Sequence, residues 1–270
     1  MQIIIPMSGL GQRFINAGYN DPKPLIKVDN KPMIEHVVNL FPGEENISFI
    51  CNENHLKETN MKNVLNSISS KCNIYSIPQQ KFGPVYAVKQ IFDCINDDEE
   101  VIISYCDYGT YWNYNEFLND TRTRNVEGAV ACYRGFHPHM LGTDNYAFLK
   151  ETKIGSRLMK QIQEKKPFTN NRMNEYASNG TYYFKTGSIM KKYFKELLDL
   201  EIRINNEYYV SMVYNLLVRD NLRVSIYEIE HMLQWGTPSD LEIYQRWSNY
   251  FSNILKPQNK FIDRLNTTTI

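Results

Sequence analysis

Four apolar runs, each followed by a stretch with helical periodicity or a turn, occupy the first 107 residues and restrict the chain to a small set of folds. Residues 2–6, 47–51, 72–77 and 100–105 read as strands. Between them, residues 32–41 carry Ile34, Val37, Val38 and Phe41 at helical spacing, behind a Pro32 suited to a first turn. Residues 53–69 place Leu56, Met61, Val64, Leu65 and Ile68 on one face, and Gly83-Pro84 opens a third helix to about residue 92. Strands alternating with helices over short links predict an α/β fold, a mostly parallel sheet with helices on both faces. Ligands of such sheets sit outside the carboxyl ends of the strands.

Two of those strand ends carry unusual chemistry. The first empties into Met7-Ser8-Gly9-Leu10-Gly11-Gln12-Arg13, followed by Asp21-Pro22-Lys23-Pro24-Leu25. Glycines let backbone N–H groups approach anionic oxygens, and an arginine and a lysine can neutralise the charge. This is not a dinucleotide fingerprint, because Gly9-Leu10-Gly11-Gln12-Arg13-Phe14 ends in Phe where that motif needs Gly, and no Gly-Lys-Ser/Thr follows as in a Walker loop. The prolines flanking Lys23 disfavour helix and predict a fixed extended segment that aims the lysine. The strand at 100–105 leads to Asp107, so both ends predict one shared site.

These motifs resemble those of the nucleotidyltransferases that join a nucleoside triphosphate to a phosphorylated small molecule, whose mark is a G-x-G-x-R loop after strand one and a later P-K-x-L. The resemblance runs from residue 2 to about 241 as short matches in order. It implies a Rossmann-like sheet of the nucleotidyltransferase and GT-A glycosyltransferase type with an inserted acceptor-binding region. A single domain over 1–270 is expected, with a nucleotide-binding half over about 1–125, an acceptor-binding half over about 126–240, and a C-terminal helix and tail over 241–270. The implied chemistry is in-line attack of an acceptor phosphate on the α-phosphorus, with pyrophosphate leaving. Like charges about 4 Å apart repel by ~4 kcal/mol per unit pair at an effective dielectric near 20. The resemblance assigns that repulsion to Arg13, on the β- and γ-phosphates, and to Lys23, between the α-phosphate and the acceptor, with Mg²⁺ as cofactor on Asp107. Met7, Ser8, Gly9, Leu10 and Gly11 form the implied donor loop.

Later matches supply the rest. Residues 78–87 resemble a base-reading segment, with Gln79 favoured over Gln80 and with Gly83 and Pro84 at a helix start. Glu164-Lys165-Lys166-Pro167 resembles an E-K-P segment whose lysine meets the acceptor phosphate, and the doubled lysine leaves Lys165 and Lys166 both open. Asn179-Gly180-Thr181-Tyr182 resembles an acceptor floor, with Glu175 nearby for an ammonium or hydroxyl, and Glu207-Tyr208-Tyr209 resembles a further acceptor element. Many relatives read W-x-D-x-G-T near the end of the fold, whereas Met232-Leu233-Gln234-Trp235-Gly236-Thr237-Pro238 puts Gln234 where Asp is usual; Gln234 is then counted on the acceptor side, and either Asp107 holds the metal with phosphates and water or another carboxylate contributes. That departure resembles a cytidylyltransferase subgroup of capsule-precursor pathways. It also leaves open sugar-1-phosphate or choline-phosphate transfer and a non-catalytic nucleotide binder. A glycosyltransferase of similar topology is disfavoured because Cys106-Asp107-Tyr108 lacks the Asp-x-Asp strand end.

In the second half, residues 127–133, 146–150, 181–185 and 223–228 read as strands, 188–198, 208–218 and 238–251 as helices, and 165–177 as a loop over the site. His137-Pro138-His139 has no third ligand nearby and reads as a loop; the aromatics around Asp107 read as packing. Residues 257–270 read as a tail or partner contact, and homo-oligomer formation is left open. With 30 basic and 30 acidic residues the net charge is zero, which argues against broad nucleic-acid or membrane-surface binding. The five cysteines are widely spaced, with no C-x-x-C pair, and the first residues lack a basic, cleavable apolar leader. A reduced, cytoplasmic enzyme is expected.

Overall fold

The computed structural model describes residues 1–255. The expected tail at 257–270 lies outside them. In chain order the elements are β1 (Gln2–Met7), α1 (Gln12–Asn16), β2 (Lys27–Val28), β3 (Lys31–Pro32), α2 (Met33–Val38), β4 (Ile47–Asn52), α3 (Glu53–Glu58), α4 (Met61–Ile68), β5 (Asn73–Ile77) and α5 (Pro84–Lys89). There follow β6 (Val101–Ser104), β7 (Tyr108–Tyr111), α6 (Tyr114–Thr123), β8 (Gly128–Tyr133), β9 (Ala147–Glu151), β10 (Met159–Glu164), β11 (Tyr176–Phe184), α7 (Gly187–Asp199), α8 (Val210–Arg219), β12 (Val224–Glu228), β13 (His231–Gln234) and α9 (Pro238–Leu255).

A nine-stranded sheet runs β10-β9-β11-β6-β1-β4-β5, with β8 and β12 branching from β11. The parallel set β5-β4-β1-β6 is the alternating first half of the sequence. All strands but β10 and β11 run in one direction, because β11 lies antiparallel to β6, β8 and β9, and β10 to β9. Alternate residues of β1 explain the two large cores. Ile4 points to the cluster with Val85, Val88, Tyr193 and Phe194, while Ile3 and Ile5 point to the one with Val37, Phe49 and Phe117. A smaller cluster of Phe14, Ile26, Met33, Trp235 and Leu241 holds the first loop against the start of α9.

The structure departs from the sequence reading in several places. The helix expected over 53–69 is two, because Thr59 is extended and its hydroxyl donates to His55 O (2.6 Å) while accepting from Met61 N, so the side chain takes over the backbone's partners. Lys23 is not extended: it opens a 3-10 turn over Lys23–Leu25, and only Pro22 before it is extended. Strand β11 begins at Tyr176, inside the expected loop. His137 caps a 3-10 turn over Pro138–Leu141 rather than an open loop; His139 within the turn is buried and bonded to the Tyr133 hydroxyl, and His137 Nε2 accepts from Met232 N (3.2 Å). No described helix is long and apolar enough to cross a membrane.

Candidate active site

Strands β1 and β6 lie side by side, so the loops after them open at one corner. After β1, Gly11 adopts φ +67, and a Cβ there would stand 3.2 Å from Lys23 Cβ. Glycine is therefore needed twice, for the left-handed turn and for the close passage of the Lys23 segment. The Lys23 stem passes Phe14, with Nζ 5.4 Å from the ring centroid. Its Nζ donates to Asp107 Oδ2 at 2.5 Å and to Gly236 O at 2.9 Å. Both side chains are about one-fifth exposed (19% and 22%), which leaves them dry enough to attract strongly and wet enough to exchange partners.

The Gln234 region reaches this corner through a second, two-stranded sheet in which β13 pairs with β7 and Gln234 lies opposite Tyr108. Trp235 N donates to Asp107 O at 3.2 Å. At Gly236 a Cβ would meet Gln234 Nε2 at 2.7 Å and Asp107 Oδ2 at 3.2 Å, so Lys23, Asp107 and Gln234 converge on one glycine. Asp240 sits close behind in a reciprocal cap with Thr237, and burial pushes its carboxyl above the usual range.

A cavity of about 930 Å³ extends from this corner. Of the expected residues, Met7, Ser8, Gly9, Leu10, Gly11, Arg13, Lys23, Gly83, Pro84, Asp107, Lys165, Asn179, Gly180 and Gln234 all line it. Gln79, Lys166 and Glu175 do not. Gln79 is exposed, and its neighbour Gln80 takes the cavity wall, donating to Ser8 Oγ (3.2 Å) and Gly83 O (3.3 Å) and accepting from Phe82 N (2.6 Å). Gly83 has φ +88, and a Cβ there would stand 2.9 Å from Tyr208 N, so the start of α5 is pinned to the segment before α8. Lys165 has φ +56, which parts it from Lys166: the first turns inward, donating to the Tyr209 hydroxyl and lying 4.5 Å over that ring, and the second is exposed. The Tyr209 hydroxyl in turn donates to Glu207. Glu175 staples its own loop, its carboxylate accepting from Phe168 N, Thr169 N and Thr169 Oγ1.

The far wall is a kink in β11. Its pairing with β8 shifts between Ser178 and Tyr182, and Gly180 has φ +98 with Tyr105 packed against it. Asn179 is buried; its Oδ1 accepts from Thr181 N (2.9 Å), while its Nδ2 has no partner among the described residues. An unpartnered buried amide on a cavity wall leaves a hydrogen-bond donor available. Glu164, which sequence reading passed over in favour of the lysines after it, lies on the same wall at the buried end of β10. Burial pushes its carboxyl up to about 7, against the opposing pull of the Ser211 hydroxyl that donates to it at 2.5 Å. The alternation of β10 toward Ile162 and Glu164 was the available signal.

Asp107 suits a divalent cation that is shared with a substrate. Among the described residues no group of three or more His, Cys, Asp or Glu stands close enough to hold an ion without other ligands. A single carboxylate matches Mg²⁺, which keeps phosphate oxygens and water in its shell.

A family model described as nucleotidyl transferase matches residues 2–223. The chain is 26% identical over 229 residues to the bifunctional protein GlmU of Buchnera aphidicola subsp. Baizongia pistaciae, an alignment covering 83% of this chain and 46% of that protein, so the chain spans about half the length of this relative. Its fold is similar to the nucleoside-diphosphate-sugar pyrophosphorylase of Vibrio cholerae RC9 (TM-score 0.73, 19% identity, 91% of this chain and 100% of that one). It is also similar to the inositol-1-phosphate CTP transferase of T. maritima (TM-score 0.66, 14% identity, 92% and 94%). The chain belongs to the nucleotidyl transferase family.

Proposed function

We propose that this member of the nucleotidyl transferase family transfers a cytidylyl group from CTP to L-glutamine phosphate, releasing pyrophosphate and giving CDP-L-glutamine for modification of a capsular polysaccharide. The observation that carries the reaction class is the convergence of the Gly9–Arg13 loop, Lys23 and Asp107 on one wall of a cavity large enough for two substrates. The choice of cytidine and glutamine rests on the resemblance carried by Gln234-Trp235-Gly236-Thr237-Pro238, and a CTP transferase among the proteins of similar fold is in keeping with it.

In this reading residues 1–125 hold the donor and 126–240 the acceptor, within one domain in the cytoplasm. The loop amides and Arg13 neutralise the β- and γ-phosphates. Lys23, released from Asp107, bridges the α-phosphate and the incoming phosphate, so that two anions can approach in line. Gln80, rather than Gln79, stands where a base edge would lie beside Gly83 and Pro84. Lys165 meets the acceptor phosphate, and Asn179, Gly180 and Glu164 form the floor beneath the rest of the acceptor. An acceptor oxygen forms a bond to the α-phosphorus as the bond to the bridging oxygen of pyrophosphate breaks. Asp107 would hold Mg²⁺, which would supply further neutralisation of the phosphates, and Gln234 stands on the acceptor side.

The test is pyrophosphate release measured with four nucleoside triphosphates against phosphoglutamine, choline phosphate and sugar 1-phosphates. CTP with phosphoglutamine is expected to be the fastest pair. A faster sugar 1-phosphate or choline phosphate would replace the acceptor, and no release with any pair would contradict catalysis itself.

A further inference from the structure

Helix α9 has two unlike faces. One is fastened to the β2–β3 hairpin: Leu241 is buried, Tyr244 and Ser248 donate to the Asp29 carboxylate (2.6 and 2.8 Å), and Gln245 Nε2 donates to Lys27 O. The other carries Ile243, Trp247, Tyr250, Phe251 and Ile254, spaced i, i+4, i+7, i+8 and i+11. Trp247 and Phe251 are each 50% exposed and stack on one another at 5.7 Å. Beside them lie Phe136 (67% exposed), before the 3-10 turn that precedes β9, and Leu141 (72%), the last residue of that turn. With Ile243 and Trp247 these two wall a groove of about 770 Å³.

We propose that a second copy of this chain docks on this face, forming a twofold dimer through α9. The pattern of the stripe is self-complementary. Ile243, Trp247, Tyr250 and Ile254 are spaced evenly about the midpoint between Ser248 and Asn249. An antiparallel twofold contact therefore sets isoleucine against isoleucine and Trp247 against the other copy's Tyr250. The area is also right. Taking ~150–250 Å² for a large side chain, Phe136, Leu141, Trp247, Tyr250, Phe251 and Ile254 together expose on the order of 700 Å². That exceeds the roughly 300–600 Å² of the largest apolar patch on a typical monomer and approaches the ~800 Å² each partner contributes to a standard interface. Composition points the same way: no charged residue occurs from Trp247 to Leu255, and interface centres are depleted in charge and rich in Trp, Tyr and Phe. A lipid surface fits less well, since membrane-surface helices rely on several basic residues and α9 carries one, Arg246, against Asp240 and Glu242.

The test is sedimentation velocity on the full chain from ~1 to ~100 µM, with anionic-vesicle co-sedimentation alongside. The wild type is expected to be a dimer at the upper end and not to bind vesicles. Trp247→Glu with Phe251→Glu is expected to be monomeric with an unchanged circular-dichroism spectrum, a loss of ~100-fold or more in dimer affinity. Leu141→Lys lies off the helix, so it cannot unfold α9, and is expected to weaken the dimer by ~10-fold. A wild type that stays monomeric throughout, a dimer that survives the double substitution, or vesicle binding lost with these same side chains would each overturn the proposal.

Discussion

Replacing Lys23 by Met separates the two roles that the Lys23–Asp107 pair can have. Met keeps most of the stem against Phe14 and removes only the ammonium. In the free protein this loses the bonds to Asp107 Oδ2 and Gly236 O. With both side chains about a fifth exposed, the loss is expected to be about 2 kcal/mol, and the melting temperature should fall by about 4–8 °C for a chain of this size. In turnover the same change removes a cation from the site of charge build-up, which typically costs ~10²–10³ in kcat. Adding Asp107→Asn removes the stranded carboxylate, so about half of the lost melting temperature should return. Activity should not return, because the ammonium acts on phosphate and not on Asp107 alone. The assay is steady-state pyrophosphate release beside differential scanning calorimetry. The reasoning is refuted if Lys23→Met keeps more than about a tenth of wild-type kcat/KM, or if the double variant recovers turnover together with stability.

Four further outcomes follow from the site. Glu164 keeps its proton longer folded than unfolded, so the native state holds more protons between about pH 4.5 and 7 and loses stability as pH rises through that window. Glu164→Gln should therefore gain on the order of 3 kcal/mol relative to wild type between pH 4 and pH 8, read from paired thermal melts. Gln80→Ala, which strips Ser8 and Phe82 of a partner, should raise the KM for the donor by roughly tenfold, while Gln79→Ala should leave it within about twofold, measured by steady-state kinetics. Gly83→Ala forces a Cβ to 2.9 Å from Tyr208 N at a positive φ, and should cost about 2 kcal/mol or more by denaturant titration. Chelation should abolish turnover, Mg²⁺ should restore it, and Asp107→Asn should raise the Mg²⁺ needed for half activity by ~10-fold or more.

The parallel half of the fold was legible because β1, β4 and β6 are buried on both faces and read as largely apolar runs, with β5 at the sheet edge more polar. Helix α6 was missed although Tyr114, Phe117, Leu118 and Thr121 repeat at helical spacing, because its polar face dominates the composition. Strands β7 and β13 each depend on the other for their hydrogen bonds, four residues against four, and neither run stands out alone. At the site, the glycines marked the turn after β1 in advance, since backbone freedom is written into residue type, whereas the prolines around Lys23 framed a 3-10 turn and not an extended segment. Choices between neighbours were not legible. Gln79 against Gln80 turns on which amide reaches Ser8, and Lys165 against Lys166 on a left-handed residue that no composition announces. Glu175 was placed near the acceptor by sequence proximity, and its carboxylate proved to be occupied by backbone amides of its own loop.

The most direct measurement is a crystal structure of the protein with CTP and Mg²⁺. The triphosphate is expected within hydrogen-bond distance of the Gly9–Arg13 amides and of Lys23 Nζ, with the cation on Asp107. A triphosphate seated elsewhere, with Lys23 still paired to Asp107, would contradict the assignment of this corner.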